Sequence, residues 1–157
     1  MTEPNLTVRP TEAGDIPALQ PVLDETELFP RDMLPDLMTG YLAGDGPDAW
    51  LTCMKHDRPV GFCFAEPEAL ADGTWNMRAI AVLPKVQGQG AGRALVAALE
   101  ARLAEGGGRV LIADTSGIDA FADTRAFYDR AGYTAEARIR DFWGPGDDKV
   151  VYWKALT

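Results

Sequence analysis

The stretch from Ile80 to Leu95 constrains the fold more than any other part of the chain. Its sequence, IAVLPKVQGQGAGRAL, is an apolar run, a glycine loop and the start of a helical pattern. The loop glycines, Gly88, Gly90 and Gly92, have no Cβ atom, so their backbone can turn several N–H groups toward one point. The first N–H groups of the following helix carry a partial positive charge and suit an anion such as a phosphate. A strand-to-helix turn that only needs flexible residues is the simpler alternative.

Two well-defined phosphate loops can be compared with this stretch. The nucleoside-triphosphate loop requires Lys followed by Ser or Thr, and no such pair follows these glycines. The dinucleotide fingerprint GxGxxG is matched by Gly88 and Gly90, but Arg93 stands at the third glycine position. Asp114 lies where a ribose-binding acid would fall, yet too little chain follows the loop to complete a doubly wound sheet. A nucleotide-binding oxidoreductase is therefore only a distant alternative.

Composition limits the classes of partner. The 157 residues predict a single domain over residues 1–157, with a core of ordinary size. The balance of 15 basic against 24 acidic residues gives a net charge of −9, which disfavours nucleic acid and anionic membranes as partners. Cys53 and Cys63 lie in apolar segments, which is typical of reduced core thiols in a cytoplasmic protein. We expect no membrane span and no signal peptide.

Hydrophobic periodicity predicts the order β-α-α-β-β-β-α-β-α-β-β. The predicted strands are 6–11, 49–55, 60–64, 75–83, 109–114, 133–140 and 149–154, and the predicted helices begin at a cap by Asp15 and span 33–44, 90–105 and 123–131. Strand 109–114 is almost continuously apolar, which is typical of a central parallel strand covered on both faces. The fold class is therefore α/β, a mixed sheet with helices on both faces.

Two motifs in this order resemble the GNAT superfamily of N-acyltransferases. The first is Gln87-x-x-Gly90-x-Gly92 after the strand that ends at Val82. The second is Phe127-Tyr128-x-x-x-Gly132-Tyr133, which is similar to the family segment F-Y-x-x-x-G-[FY]. The spacing and element order extend the resemblance over essentially the whole chain. The closing run 141–152 also resembles small bacterial-type members whose acceptors are mostly unassigned.

The resemblance implies an acetyl-CoA-dependent N-acetyltransferase that transfers the acetyl group directly to a primary amine, without a metal. Neither cysteine lies in a motif, so a covalent acyl-enzyme has no obvious nucleophile. Val82 would polarise the thioester carbonyl through its N–H group. Tyr128 would be the general acid for the departing thiolate, because a phenol with an ordinary pKa of about 10 keeps its proton at neutral pH. The implied coenzyme-A-binding residues are Ile80, Ala81, Val82, Gln87, Gly88, Gln89, Gly90, Ala91, Gly92, Arg93 and Tyr128.

Two departures from the family pattern leave questions open. Phe121 stands where many relatives have an asparagine that contacts pantetheine, and Asn76 where some have a glutamate base. The pantetheine arm would then be held by backbone groups or by others such as Thr124 or Arg125, and the base would be a water chain or one of three carboxylates. Those three are Glu66, Glu68 and Asp141. The departures keep a non-catalytic acyl-CoA-binding or regulatory module as the alternative function.

The sequence does not name the acceptor. Polyamines, aminoglycosides, amino acids, amine-bearing toxins and protein N-termini all stay open as amine substrates. Dimers are common in the family, so the resemblance also leaves a homodimer open. The single histidine, His56, lies in a predicted hairpin turn, where we expect it to be exposed and without a catalytic role.

Overall fold

The computed structural model describes residues 5–156. Its strands hydrogen-bond in the order β1-β2-β3-β4-β5-β7-β6 and form the predicted mixed α/β sheet. The elements are β1 Leu6–Pro10, α1 Ile16–Thr26, α2 Met33–Leu37, α3 Thr39–Leu42, β2 Ala49–Lys55, β3 Arg58–Pro67, β4 Thr74–Val82, α4 Ala91–Glu105, β5 Val110–Ser116, α5 Ala122–Arg130, β6 Thr134–Gly144 and β7 Asp147–Ala155. None of these helices has the length and apolar character that a membrane span requires.

The chain divides into two compact units, which are described separately. The first comprises the residues up to Glu66 together with Ala79–Arg102. The second comprises Pro67–Arg78 and the residues from Leu103 onward. Strand β4 and helix α4 therefore each contribute residues to both units.

The first unit is built on the antiparallel strands β1, β2 and β3. The β2–β3 hairpin turns at His56 and Asp57, whose φ angles of 51° and 66° are those of a two-residue turn with both central residues left-handed. Alternation of apolar residues along the strands builds an aromatic core, in which the Trp50 and Phe64 rings stack 4.1 Å apart. Helix α1 packs on this core with its predicted apolar face, Leu19, Val22 and Leu23.

Asp15 does not cap helix α1 with its side chain, although the sequence predicted that it would. Instead, its carboxylate accepts two hydrogen bonds from the Arg9 guanidinium, at 2.7 and 2.8 Å, and others from the Glu12 N–H group and the Thr52 hydroxyl. Burial acts to raise the pKa of Asp15, but the hydrogen bond from Arg9 and the other donors outweigh it, so the pKa lies below its usual range.

The predicted helix over 33–44 is two short helices, α2 and α3, that separate at Met38. Gly40 lies two residues after the break and weakens a continuous helix, because glycine is a poor helix former. The apolar contacts survive the break, since Leu34 and Met38 are fully buried. Gly44 follows α3 with a φ angle of 77°, as expected for a helix stop.

The second unit is organised around β5. This strand pairs in parallel with β4 over Thr74–Met77 and antiparallel with β7 along its whole length. Burial along it alternates, with Leu111 and Ala113 buried and Ile112 half-buried, and no residue of the strand is exposed. Both faces are therefore covered, although unequally, and the expected parallel pairing exists only on the β4 side. Helix α5 ends before Gly132, which has a φ angle of 92°. Strand β6 pairs with β7, and ten of its eleven residues are exposed.

Candidate active site

The glycine loop begins in a tight turn after β4. Backbone hydrogen bonds from Val86 to Leu83 and from Gln87 to Pro84 form one 3-10 turn. Gly88 and Gly90 then adopt φ angles of 82° and 97°, which side chains with a Cβ rarely tolerate. A Cβ at Gly88 would meet nothing within 4 Å, and one at Gly90 only the Leu6 side chain at 3.9 Å. The loop therefore exposes its backbone toward open space.

The N-terminus of α4 supplies hydrogen-bond donors next to this loop. The first helical hydrogen bond joins the Ala94 N–H group to the Gly90 carbonyl at 2.9 Å. The N–H groups of Ala91, Gly92 and Arg93 therefore precede the helical ladder and lie at the positive end of the helix dipole. This fits the pyrophosphate of coenzyme A, which needs several converging N–H donors and room for close approach.

Side-chain contacts join the loop to strand β4 and to strand β2. The Gln87 amide donates to the Val82 carbonyl at 2.9 Å, and Lys55 donates to the side-chain oxygen of Gln89. On the neighbouring strand, a Cβ at Gly61 would lie 2.7 Å from the Ala81 carbonyl oxygen, so only glycine permits this approach to β4. Ile80, Ala81, Val82 and the loop residues 87–93 thus form one connected part of the first unit.

Tyr128 lies in the second unit, on α5, and is 4% exposed. Its ring stacks on Tyr152 with centroids 5.1 Å apart. The rings of Phe127 and Tyr133 meet it edge-on, at 5.4 and 5.6 Å. The Tyr133 N–H group also donates to the Tyr128 carbonyl at 3.0 Å. The motif residues therefore fix the orientation of the Tyr128 ring by packing.

The candidate bases differ in what their carboxylates contact. Asn76 is buried on β4 and donates its amide to Glu68 at 3.0 Å. The position that carries a glutamate in some relatives is thus paired with a carboxylate from another segment. Asp141 is exposed, and its carboxylate accepts the Gly146 N–H group inside the β6–β7 turn. Glu66 is half-buried.

Other predictions can be compared with the same geometry. His56 is exposed as expected, and Cys53 and Cys63 are buried free thiols. Burial raises the pKa of both thiols, which makes them poor nucleophiles. Sequence reasoning missed Gly61 and the tether from Lys55, because neither belongs to a local motif. Within residues 5–156 no group of three His, Cys, Asp or Glu side chains is placed to hold a metal ion.

Comparison with known proteins yields one family and many similar structures. The model of the Acetyltransferase (GNAT) family matches residues 17–133. A GNAT-family protein from Desulfovibrio desulfuricans is 32% identical, with 97% of this chain and 99% of that chain covered and a TM-score of 0.87. No curated protein matched.

Two further solved structures share the fold at lower identity. The ribosomal-protein-S18-alanine N-acetyltransferase from Escherichia coli is 19% identical, with 97% and 94% coverage of this and that chain and a TM-score of 0.76. A Salmonella typhimurium protein solved with acetyl-CoA is 18% identical, with 98% and 95% coverage and a TM-score of 0.78.

Proposed function

Because the chain belongs to the GNAT family of acetyltransferases, we propose that it uses acetyl-CoA to acetylate a primary amine directly. That it is an acetyltransferase follows from the family; the donor, the direct transfer and the amine acceptor are the proposal. The glycine loop carries the proposal. Gly88 and Gly90 hold left-handed backbone angles beside open space, immediately before the unpaired first turn of α4.

The residues of the first unit would bind the cofactor. Backbone N–H groups of the loop would hold the pyrophosphate, and the end of β4 would run alongside the pantetheine arm. Pairing of β4 with β5 ends at Met77, so Ile80, Ala81 and Val82 take no part in it. The pyrophosphate-binding residues would be Gln87, Gly88, Gln89, Gly90, Ala91, Gly92 and Arg93.

Two groups would act on the thioester, which supplies an acyl carbon activated toward amines. The Val82 N–H group would donate to the carbonyl oxygen as negative charge develops on it, which is usually the largest electrostatic contribution to acyl transfer. The Tyr128 hydroxyl would donate its proton to the leaving sulfur. Packing against three aromatic rings holds the Tyr128 ring in one orientation and limits the reorganisation that this step requires.

We assign the general base to Glu68. Its carboxylate lies 3.0 Å from the Asn76 amide, at the β4 position where some relatives have a glutamate. Asp141 is the weaker candidate, because it is exposed and its contact lies within the β6–β7 turn, whereas Glu68 contacts the β4 position itself. Glu68→Gln should lower turnover about 100-fold, within the usual range for one acid–base group. Glu105→Gln, an exposed change on α4, is the matched control.

A thiol-release assay with acetyl-CoA and a broad amine panel tests the proposal. The panel contains aminoglycosides, polyamines, free amino acids, amine-bearing toxins and peptides with free N-termini. Acetyl-CoA at a hundredfold excess over its dissociation constant should stabilise the fold by about 2.7 kcal/mol. NAD and ATP should stabilise it far less. Equal stabilisation by all three would remove the cofactor assignment, and acetyl-CoA binding without thiol release for any amine would favour the non-catalytic acyl-CoA-binding module.

The cellular location and the partners of the enzyme are part of the same proposal. We place it in the cytoplasm, where acetyl-CoA is made and where its free thiols Cys53 and Cys63 would stay reduced. Its net charge of −9 disfavours nucleic acid and anionic membranes as partners. A homodimer stays open, and sedimentation equilibrium would decide it.

A further inference from the structure

A groove in the second unit has no role in the proposed acetyl transfer. Its volume is about 490 Å³, within the range of small-molecule sites. It is lined by Arg125, Ala135, Glu136, Ala137, Arg138, Val150 and Tyr152. Apart from Arg125, which the sequence offers as one possible contact of the pantetheine arm, none of these residues has a role toward acetyl-CoA in the proposal above.

Arg125 is anchored at one side of this groove by the connection between β5 and α5. Its Nη1 atom donates to the Ser116 carbonyl at 2.7 Å and to the Ile118 carbonyl at 2.8 Å. These two bonds hold the guanidinium in place through one of its two terminal nitrogens. They are made to carbonyl oxygens, which carry only partial charges.

Arg138 approaches the same connection from β6. Its guanidinium lies against Gly117, where a Cβ would come within 2.6 Å of Nη1 and 3.1 Å of Nη2. Nη1 also donates to the Asp148 carboxylate at 2.8 Å, and the Gly117 N–H group donates to the Asp148 carbonyl at 3.0 Å. Two guanidinium groups are therefore fixed on one three-residue segment, Ser116–Ile118.

The charges of both guanidinium groups act on the pKa of Tyr152. Burial and the charge of Asp129 raise the pKa of Tyr152, while the charges of Arg125 and Arg138 act to lower it. Both guanidinium groups contact the segment Ser116–Ile118, where like charges repel each other, and Asp148 forms an ion pair with Arg138. An anion in the groove would relieve that repulsion. Guanidinium groups also match the planar geometry of oxyanions, to which they donate pairs of hydrogen bonds.

We propose that the groove binds the oxyanion of a small molecule, a carboxylate or a phosphate, between Arg125 and Arg138. The apolar lining of Ala135, Ala137 and Val150 accommodates the organic part of that ligand. Glu136 lies in the same lining and opposes a multiply charged anion, which favours a singly charged group.

Titration of the complete protein by NMR tests this site. Inorganic phosphate and propionate are the two probes, and saturating coenzyme A occupies the glycine loop so that phosphate cannot bind there. We expect saturable shifts of the Gly117 and Ala137 amide signals with at least one probe, and the responding probe identifies the oxyanion. Sodium chloride at matched ionic strength should not reproduce the shifts. No saturable shift with either probe, or identical shifts with sodium chloride, would overturn the proposal.

Substitutions on strand β6 test whether the probe binds in this groove. Arg138→Gln should weaken the responding probe about tenfold or more, since it removes charge-assisted hydrogen bonds. The side chain is 55% exposed, so the variant should fold. Arg140→Gln, an exposed arginine on the same strand outside the groove lining, should bind the probe like the parent. Equal affinity in Arg138→Gln and the parent would exclude the site. Coenzyme A affinity should be unchanged in both variants, which separates this proposal from that of acetyl transfer.

Discussion

The glycine loop, residues 87–93, and the tyrosine cluster, which is Tyr128 with Phe127, Tyr133 and Tyr152, would carry different steps of the proposed reaction and are built in different ways. In the loop, Gln87, Gly88 and Gly90 are exposed, and the backbone faces open space. In the cluster, Tyr128 is buried among three aromatic rings. The loop should therefore depend on backbone angles and tolerate many side chains, whereas the cluster should depend on a single hydroxyl group. Four predictions test this contrast, in order of decreasing effect.

Gly90→Val should give the largest effect. Valine resists the φ angle of 97° at this position, so the loop N–H groups should move out of register. Loss of at least two charge-assisted hydrogen bonds predicts a coenzyme A dissociation constant about 1000-fold higher. Isothermal titration measures it. Gly107→Val is the matched control, because Gly107 has a similar φ angle of 92° and room for a Cβ but lies outside the loop. A folded Gly90→Val variant with parental affinity would refute the pyrophosphate assignment.

Tyr128→Phe removes the hydroxyl and keeps the ring. Turnover should fall on the order of 100-fold, while coenzyme A affinity and the melting temperature change little. The measurement requires the true acceptor and conditions in which the chemical step limits the rate. Tyr133→Phe is the control within the same cluster, and its turnover should stay near that of the parent. Parental turnover in Tyr128→Phe would remove the general acid from the mechanism.

Asp15→Asn should lower the stability of the fold without changing coenzyme A binding or turnover. Loss of charge-assisted hydrogen bonds to Arg9 predicts a decrease of about 2 kcal/mol in the free energy of unfolding at pH 7. Because the folded-state pKa of Asp15 is lowered, its stabilisation is present above the unfolded-state pKa of about 3.9 and is lost as the pH falls through the folded-state value. Urea unfolding at pH 7 and at lower pH values should therefore show that the difference in the free energy of unfolding between Asp15→Asn and the parent decreases as the pH falls.

The control for that prediction is Asp24→Asn. Asp24 pairs with Arg31 on the surface, with both side chains 45% exposed, so its loss should change stability by less than about 1 kcal/mol. Coenzyme A affinity and turnover of folded Asp15→Asn should equal those of the parent. A constant stability difference between Asp15→Asn and the parent at every pH would contradict the assigned ion pair.

Gln87→Ala should give the smallest effect. It removes the hydrogen bond of 2.9 Å from the Gln87 amide to the Val82 carbonyl but leaves the loop glycines unchanged. A neutral hydrogen bond of about 1 kcal/mol predicts roughly fivefold weaker coenzyme A binding. Gln20→Ala removes a comparable bond to the Arg31 carbonyl elsewhere and should leave binding unchanged. A loss as large as that of Gly90→Val would mean that side chains, and not only the backbone, build the loop.

Predictions that depended on local sequence were largely confirmed. Strand β2 spans Ala49–Lys55 as predicted, and α4 spans Ala91–Glu105 against a prediction of 90–105. The hairpin predicted with a connection over residues 56–59 is present, but its turn is only His56 and Asp57, and β3 already begins at Arg58. These features follow from alternation, helical periodicity and turn chemistry, all of which act within a few residues.

Predictions that required a distant partner were less successful. A carboxylate before a helix is typical of a cap, but Asp15 pairs instead with Arg9 on β1 and Thr52 on β2. Likewise, the apolar run of β5 does not reveal that its neighbour on one side is the antiparallel β7. The sequence contains both partners in each case, but their meeting depends on how the strands align.

The sequence alone determined the order of elements, the glycine loop and the motif that contains Tyr128, because each is encoded by neighbouring residues. Tertiary structure decided the rest. It paired Asn76 with Glu68, brought Gly61 against the Ala81 carbonyl and set Arg138 against Gly117. Such contacts join residues on different segments, and strand register selects them. A shift of register by one residue would turn each side chain to the opposite face of the sheet.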